Sequence, residues 1–348
     1  MRDTALIAPE ALTIPTPDES LCPDIRNRKK AWHLGVISNP LSGSNRHQLP
    51  GIRSFLDSHH ILHREVCNLS DAKVVLDDFA RQGVNLIAVN AGDGTVQAVL
   101  TTLFHHRPCS TLPVLALLCG GTTNMTAKDL GFRGSRIQAL ERLIRWTRHS
   151  RGEGTIQRRP VLRVRHPSLP APQYGMFFGA ACIHKGIELF HSRVHGLGLS
   201  GEPAHMVIVA RFLAALASGD LEGLGAATAS VRVDGQALAP HRYMLLLIHS
   251  LEQLILGLRP HWGQEDAPLR MTAVSSEPRH FLRVLTSLLC RRRSRLATPA
   301  NGYFSHNCNE IRLSLASGFA IDGEIFTVDP RLGNLLIDDG GQAAFLRL

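Results

Sequence analysis

Three times between residues 33 and 124 the chain runs from a short apolar stretch into a turn of small residues. HLGVIS (33–38) ends in Asn39-Pro40-Leu41-Ser42-Gly43-Ser44. VNLIAVN (84–90) ends in Ala91-Gly92-Asp93-Gly94-Thr95. PVLALLC (113–119) ends in Gly120-Gly121-Thr122-Thr123-Asn124. Apolar runs of this length, bounded by turn residues, read as buried strands. Helical spacing fills the gaps. DAKVVLDDFARQG (71–83) sets Ala72, Val75, Leu76 and Phe79 on one face, with a Ser70/Asp71 cap and a stop at Gly83. Val96, Val99, Leu100, Leu103 and Phe104 follow the second turn, and SRIQALERLIRWTRH (135–149) turns Ile137, Leu140, Leu143 and Ile144 inward. With a further strand in ILHREVCN (61–68), the alternation predicts a parallel, helix-covered sheet. The carboxyl ends of its strands share one edge, where such sheets bind ligands.

The pattern changes near residue 152. TIQRRPVLRVRH (155–166), QYGMFFGAACIH (173–184), the runs on either side of Asp234-Gly235, and the pair around Ser317-Gly318 read as consecutive strands with short turns. They predict an antiparallel β domain carrying one strongly apolar helix at 202–218. The expected organisation is a flexible leader at 1–31, an α/β nucleotide-binding domain at 32–151, and a β-rich domain at 152–348. The last segment, NLLIDDGGQAAFLRL (334–348), is free to return to the first domain.

Lys and Arg exceed Asp and Glu by 38 to 29, a net charge of +9, which points to an anionic partner. Nucleic acid is disfavoured: aromatics, the stacking platforms of single-strand binders, are 5% of residues, and no nucleic-acid motif is present. The seven cysteines are scattered without zinc spacing and read as reduced thiols of a cytoplasmic protein, most of them small core residues. No run reaches the ~20 apolar residues of a membrane span.

Backbone N–H groups in glycine-rich turns and at helix N-termini favour anions, and glycine lets a phosphate approach the backbone. Ser42, Ser44, Thr95, Thr122 and Thr123 add hydroxyls, and Asn39 and Asn124 add amides. Asp93 would repel a phosphate directly. It can hold a Mg²⁺ that bridges carboxylate and phosphate, or it can cap and order the loop. One such turn alone is an ordinary αβ turn, whereas three on one sheet edge indicate a nucleotide site. Neither GxxxxGK[ST] nor GxGxxG is present.

NPLSG (39–43), AGDGT (91–95) and GTTN (121–124), with IDGE (321–324) near the C-terminus, resemble in order and spacing the motifs of the diacylglycerol kinase catalytic-domain family. That superfamily also holds sphingosine and ceramide kinases and the bacterial soluble lipid kinases. The resemblance implies an α/β nucleotide domain beside a β-sandwich-like lipid domain, with the active site between them. It implies ATP and Mg²⁺ at Asn39, Ser42, Gly43, Gly92, Asp93, Gly94, Thr95, Gly121, Thr122 and Asn124. It implies Asp322 as the base that deprotonates a lipid hydroxyl, and Glu324 as a positioning group. Asp266, in the acidic loop GQEDAP (263–268), becomes a candidate ligand of a structural Mg²⁺. By composition alone, Asp322-Gly323 reads as a hairpin turn, like Asp234-Gly235. Three positions depart from the family pattern. Ala91 replaces a glycine, which is tolerated if its φ is negative. The proline before the third motif is absent, and Met125 stands where the family has an aspartate.

The expected activity is ATP- and Mg²⁺-dependent phosphorylation of diacylglycerol or a related lipid. An NAD-kinase-like enzyme and a non-catalytic nucleotide- or lipid-binding protein are the alternatives. The helix at 202–218 reads as core or as a lipid-pocket wall. CRRRSR (290–295), after apolar FLRVLTSLL (281–289), reads as a solvated run or as a contact with an anionic membrane, which would make the protein peripherally membrane-associated. His191 and His195 have metal-compatible spacing but no acidic partner nearby. A homodimer is compatible with this layout.

Overall fold

The computed structural model describes residues 31–43, 45–130, 134–149, 154–187, 225–315 and 317–348. The leader, Ser44, the apolar helix expected at 202–218, His191 and His195 lie outside the described residues.

The first part is the expected α/β unit: β1 (Leu34–Ser38), α1 (Asn45–Ser58), β2 (Leu62–Glu65), α2 (Leu69–Arg81), β3 (Leu86–Ala91), α3 (Asp93–Thr101), β4 (Val114–Cys119), α4 (Met125–Asp129) and α5 (Arg136–His149). The strands are parallel in the order β2-β1-β3-β4. Side-chain alternation explains why these strands are apolar throughout. Val36, Leu86, Ala88, Val114 and Ala116 pack with Ile52 and Leu56 of α1 and with Leu140, Leu143 and Ile144 of α5. Ile37, Ile87, Val89, Leu115 and Leu117 pack on the other face with Val75, Leu76 and Phe79 of α2 and Val96, Val99 and Leu100 of α3.

Four local expectations are corrected. Ile137 is exposed and Ala139 is buried on the inner face of α5 instead. The cap of α2 is Asn68, whose side chain accepts from Asp71 N–H at 2.9 Å, so the helix begins before Asp71. The 61–68 strand contracts to β2. Of the six described cysteines, Cys182 and Cys308 are buried, whereas Cys67 and Cys290 are exposed.

The second part is antiparallel: β5 (Thr155–Arg165), β6 (Gln173–Gly175), β7 (Phe177–Ala181), β8 (Ala227–Val233), β9 (Gln236–Ala237), β10 (Arg242–His249), β11 (Leu269–Ser275), α6 (Phe281–Leu289), β12 (Tyr303–Cys308), β13 (Glu310–Leu315), β14 (Phe319–Ile321), β15 (Glu324–Phe326) and β16 (Leu335–Arg347). The run at 173–184 splits into β6 and β7 around Met176. β16 closes the chain by pairing with β5 and β13 and, through Phe345 opposite Leu115, in parallel with β4. The two parts therefore share one continuous sheet, and the cluster under β3 and β4 also takes in Tyr174, Met176, Phe177 and Leu251. No described helix is long and apolar enough to cross a membrane.

Candidate active site

Because β1, β3 and β4 are adjacent and parallel, their three terminal turns lie side by side, and direct bonds join them. Gly92 N–H donates to Ser42 Oγ at 3.2 Å, and Asn39 Nδ2 donates to Thr95 Oγ1 at 2.9 Å. Gly92 and Gly121 touch backbone to backbone: a Cβ on Gly121 would fall on Gly92 Cα. The glycines are required by this contact as well as by any phosphate. Ala91 ends β3 with a buried side chain and is not among the residues at positive φ, so its methyl group is accommodated.

Asp93 faces sideways from the first turn of α3. Its Oδ2 accepts from Met125 N–H at 3.0 Å and its Oδ1 from Thr126 N–H at 3.1 Å. These are orphan donors at the start of α4, so Asp93 orders the third turn from the second, the capping alternative read from its sequence position. Burial raises its pKa, and the Met125 and Thr126 N–H groups pull it back. Met125 contributes a backbone donor, while its side chain is buried in the core. Asn124, in a left-handed conformation, exchanges two 2.8 Å bonds with the backbone of Gly121. Its amide shapes the turn and does not line the cleft.

Asp322 and Gly323 form the hairpin turn between β14 and β15, with φ of +47° and +91°. The hairpin reading is thus correct, and the turn brings Asp322 to the lining of a cleft. Asp234, in an equivalent turn, is exposed and bonds to the N–H groups of Asn309 and Glu310. Asp322 is 2% exposed. Its Oδ2 accepts from Met176 N–H at 2.9 Å, while its buried Oδ1 has no hydrogen-bond partner among the described residues. Gly175 leaves it room, since a Cβ there would lie 2.5 Å from Oδ2. Burial pushes the Asp322 pKa well above the usual carboxylate range. The Met176 and Phe177 N–H groups oppose the rise, and the nearby Asp93 charge reinforces it. The next strand places the Glu324 carboxylate where a side chain on Gly94 would sit, at the N-terminus of α3.

A cleft of about 560 Å³ gathers these groups. Asn39, Ser42, Gly43, Gly92, Asp93, Gly94, Thr95, Gly121 and Thr122 line it, together with Asp322 and Glu324. The remaining wall is apolar: Leu41, Cys182, Ile183, Ile187 and Ile255. Leu41 and Ile255 stand 61% and 43% exposed at its mouth. Sequence reasoning missed this wall because Ile183 and Ile255 sit at the ends of apolar runs and are not distinguished by periodicity. Asp266 lies elsewhere. It is exposed and absent from the cleft lining, and no group of three or more His, Cys, Asp or Glu able to hold a metal forms among the described residues. The bonding of that acidic loop belongs to Glu265, which accepts from Asn307 N–H and pairs with His306.

No Lys or Arg lines the cleft among the described residues, whereas three carboxylates and several hydroxyls do. A polyphosphate entering it needs a cation. The hard carboxylate oxygens of Asp93 and Glu324 in the lining fit a Mg²⁺ that would be shared with the phosphates.

Asp129 was also missed. From the last turn of α4 its carboxylate accepts from Gln253 N–H at 3.0 Å and Glu252 N–H at 3.2 Å, holding the loop that presents Ile255. Burial raises its pKa and those N–H groups lower it. The five-residue α4 thus ties the glycine turns to the apolar wall. Asp129→Ala strips two backbone donors of their acceptor, at a cost of about 1–3 kcal/mol. It should raise KM for the acceptor more than KM for the nucleotide, as read by steady-state kinetics beside a thermal melt.

Glycine turns on a parallel-sheet edge and a buried, half-partnered carboxylate thus share one cleft. Residues 33–152 match the family model described as the diacylglycerol kinase catalytic domain. A Bacillus anthracis protein described as a diacylglycerol kinase is similar in structure, with 17% identity, a TM-score of 0.54, and coverage of 91% of this chain and 97% of that one. A second structure from the same organism, provisionally assigned as a diacylglycerol kinase, shows 18% identity and a TM-score of 0.60 over 91% and 98% of the two chains. No curated protein matches the chain.

Proposed function

We propose that the chain transfers the γ-phosphate of ATP to the hydroxyl of a lipid alcohol of the diacylglycerol type, with Asp322 as general base. The observation that carries this reading is the position of Asp322 Oδ1, buried and unpartnered where the glycine turns meet the apolar wall. The turns at 39–43, 92–95 and 121–122 receive the phosphates through backbone N–H and hydroxyl groups. Acyl chains lie along Ile183 and Ile187 and pass Ile255 at the mouth. The acceptor oxygen forms its bond to the γ-phosphorus as the bond to the β,γ-bridging oxygen breaks, its proton passes to Asp322 Oδ1, and ADP leaves. Mg²⁺, when bound, would neutralise charge on the phosphates; Asp93 and Glu324 are the carboxylates able to hold it, which leaves Asp322 Oδ1 for the proton.

The test is transfer from γ-labelled ATP to diacylglycerol, monoacylglycerol and ceramide in neutral mixed micelles, with the charged acceptors sphingosine and phosphatidylglycerol in separate micelles and NAD as a soluble control. Label in one lipid that disappears in Asp322→Asn supports the proposal and names the acceptor. Label on NAD alone replaces it with a nucleotide kinase. Nucleotide binding with no transfer to any acceptor overturns it in favour of a binding protein.

A further inference from the structure

We propose that α6 and the arginine run behind it form a docking surface for an anionic lipid bilayer, set beside the mouth of the cleft. The helix has two apolar sides. Phe281, Val284 and Leu288 face inward, in a cluster with Cys182, Ile183 and Tyr303. Leu282 and Leu289, two turns apart and therefore on one face, stand 53% and 45% exposed, with half-buried Leu285 between them. Single exposed leucines are ordinary, but a stripe of them on a helix bordered by cations is the pattern of an interfacial helix.

The charge around this stripe is one-sided. Residues 277–295 hold six arginines and one acid, Glu277. Arg279, Arg283, Arg291, Arg292, Arg293 and Arg295 are all exposed. An anionic membrane surface complements both features at once, taking the leucines into its acyl boundary and the guanidinium groups at its headgroups. A single-stranded nucleic acid would need aromatic platforms, and the one aromatic residue in this stretch, Phe281, is turned into the cluster.

The surface also adjoins the cleft. Cys182 and Ile183, under the inner face of α6, line the cleft on their other side. The Arg291 guanidinium lies 2.8 Å from the place a side chain on Gly257 would take, in the turn that carries Ile255 at the cleft mouth. A bilayer docked on α6 therefore meets the apolar entrance, which deepens the lipid-acceptor reading.

The test is sedimentation of the full chain with vesicles of equimolar phosphatidylcholine and phosphatidylglycerol, against vesicles of phosphatidylcholine alone. Binding to the anionic vesicles, weakened by salt, is expected. Arg291→Gln, Arg292→Gln and Arg293→Gln together should lower partitioning about a hundredfold, about fivefold for each arginine removed. Leu282→Ser with Leu289→Ser should also lower it, and thermal melts should show both variants folded. Equal binding to the two vesicle types, wild-type binding by the arginine variant, or retention on RNA without vesicle binding would each overturn the proposal. Vesicle binding is read without turnover, so docking without transfer rejects the lipid-kinase reading alone. Transfer in neutral micelles with no vesicle binding rejects docking alone.

Discussion

Asp322→Asn is expected to lower γ-phosphate transfer by about 10²–10⁴-fold, the range that a positioned general base contributes. The amide fills the same space and can still accept from Met176 N–H, but it has no basic oxygen to offer the acceptor hydroxyl. Nucleotide affinity should change much less than turnover, because the glycine turns are formed by other residues. Two pH effects follow from the raised pKa of Asp322. The base must be ionised to act, so turnover should rise with pH through this elevated value, and in Asp322→Asn that limb should be absent. Stability has the opposite sign. An acid whose folded pKa lies above its unfolded pKa costs nothing below the unfolded value, where both states are protonated, and destabilises progressively as pH rises through the folded value. Asp322→Asn should therefore melt at a higher temperature than the parent above that pKa and draw level with it in acid. Loss of activity with a gain in stability separates a functional carboxylate from a structural one, whose removal would lower both.

Gly121→Ala should be the most damaging single-methyl change in the nucleotide domain. Its Cβ would fall on Gly92 Cα, and backbone lies on both sides of the contact, so no side chain can swing away. Overpacking of this kind costs about 1–3 kcal/mol or more. The displaced turn would also disturb the paired bonds between Asn124 and Gly121 and the Gly92 N–H bond to Ser42. A lowered melting temperature together with loss of ATP binding by calorimetry is expected. Gly51→Ala is the control: nothing lies within 4 Å of its Cβ position in α1, and alanine there should stabilise by about 0.5–1 kcal/mol. If Gly121→Ala binds ATP normally, the glycine is not needed for the contact between turns.

Much of the nucleotide half was legible in the sequence because its signals are local. Continuous apolar runs specify strands buried on both faces, the 3.6-residue period specifies the helices, and a parallel sheet must bring its glycine-rich strand ends to one edge. Ile137 shows where this fails: periodicity set it inward, but the orientation of α5 against the sheet buries Ala139 instead. The motif spacing was enough to select the family. It could not say that Asp93 spends both oxygens on the start of α4, since that depends on donors 32 residues away. Nor could it show that Asp129 grips a loop 123 residues downstream, or that Met176, 146 residues before Asp322, anchors one oxygen of that carboxylate and leaves the other unpartnered. Asp234-Gly235 and Asp322-Gly323 are the same dipeptide in the same kind of turn. Local chemistry determined the turn in both, and the packing of β14 beside β7 decided which aspartate is buried at the cleft and which faces solvent. Backbone preference and apolar periodicity act within a few residues and can be read along the chain, whereas burial and hydrogen-bond partnership are set by what the folded chain brings from far away.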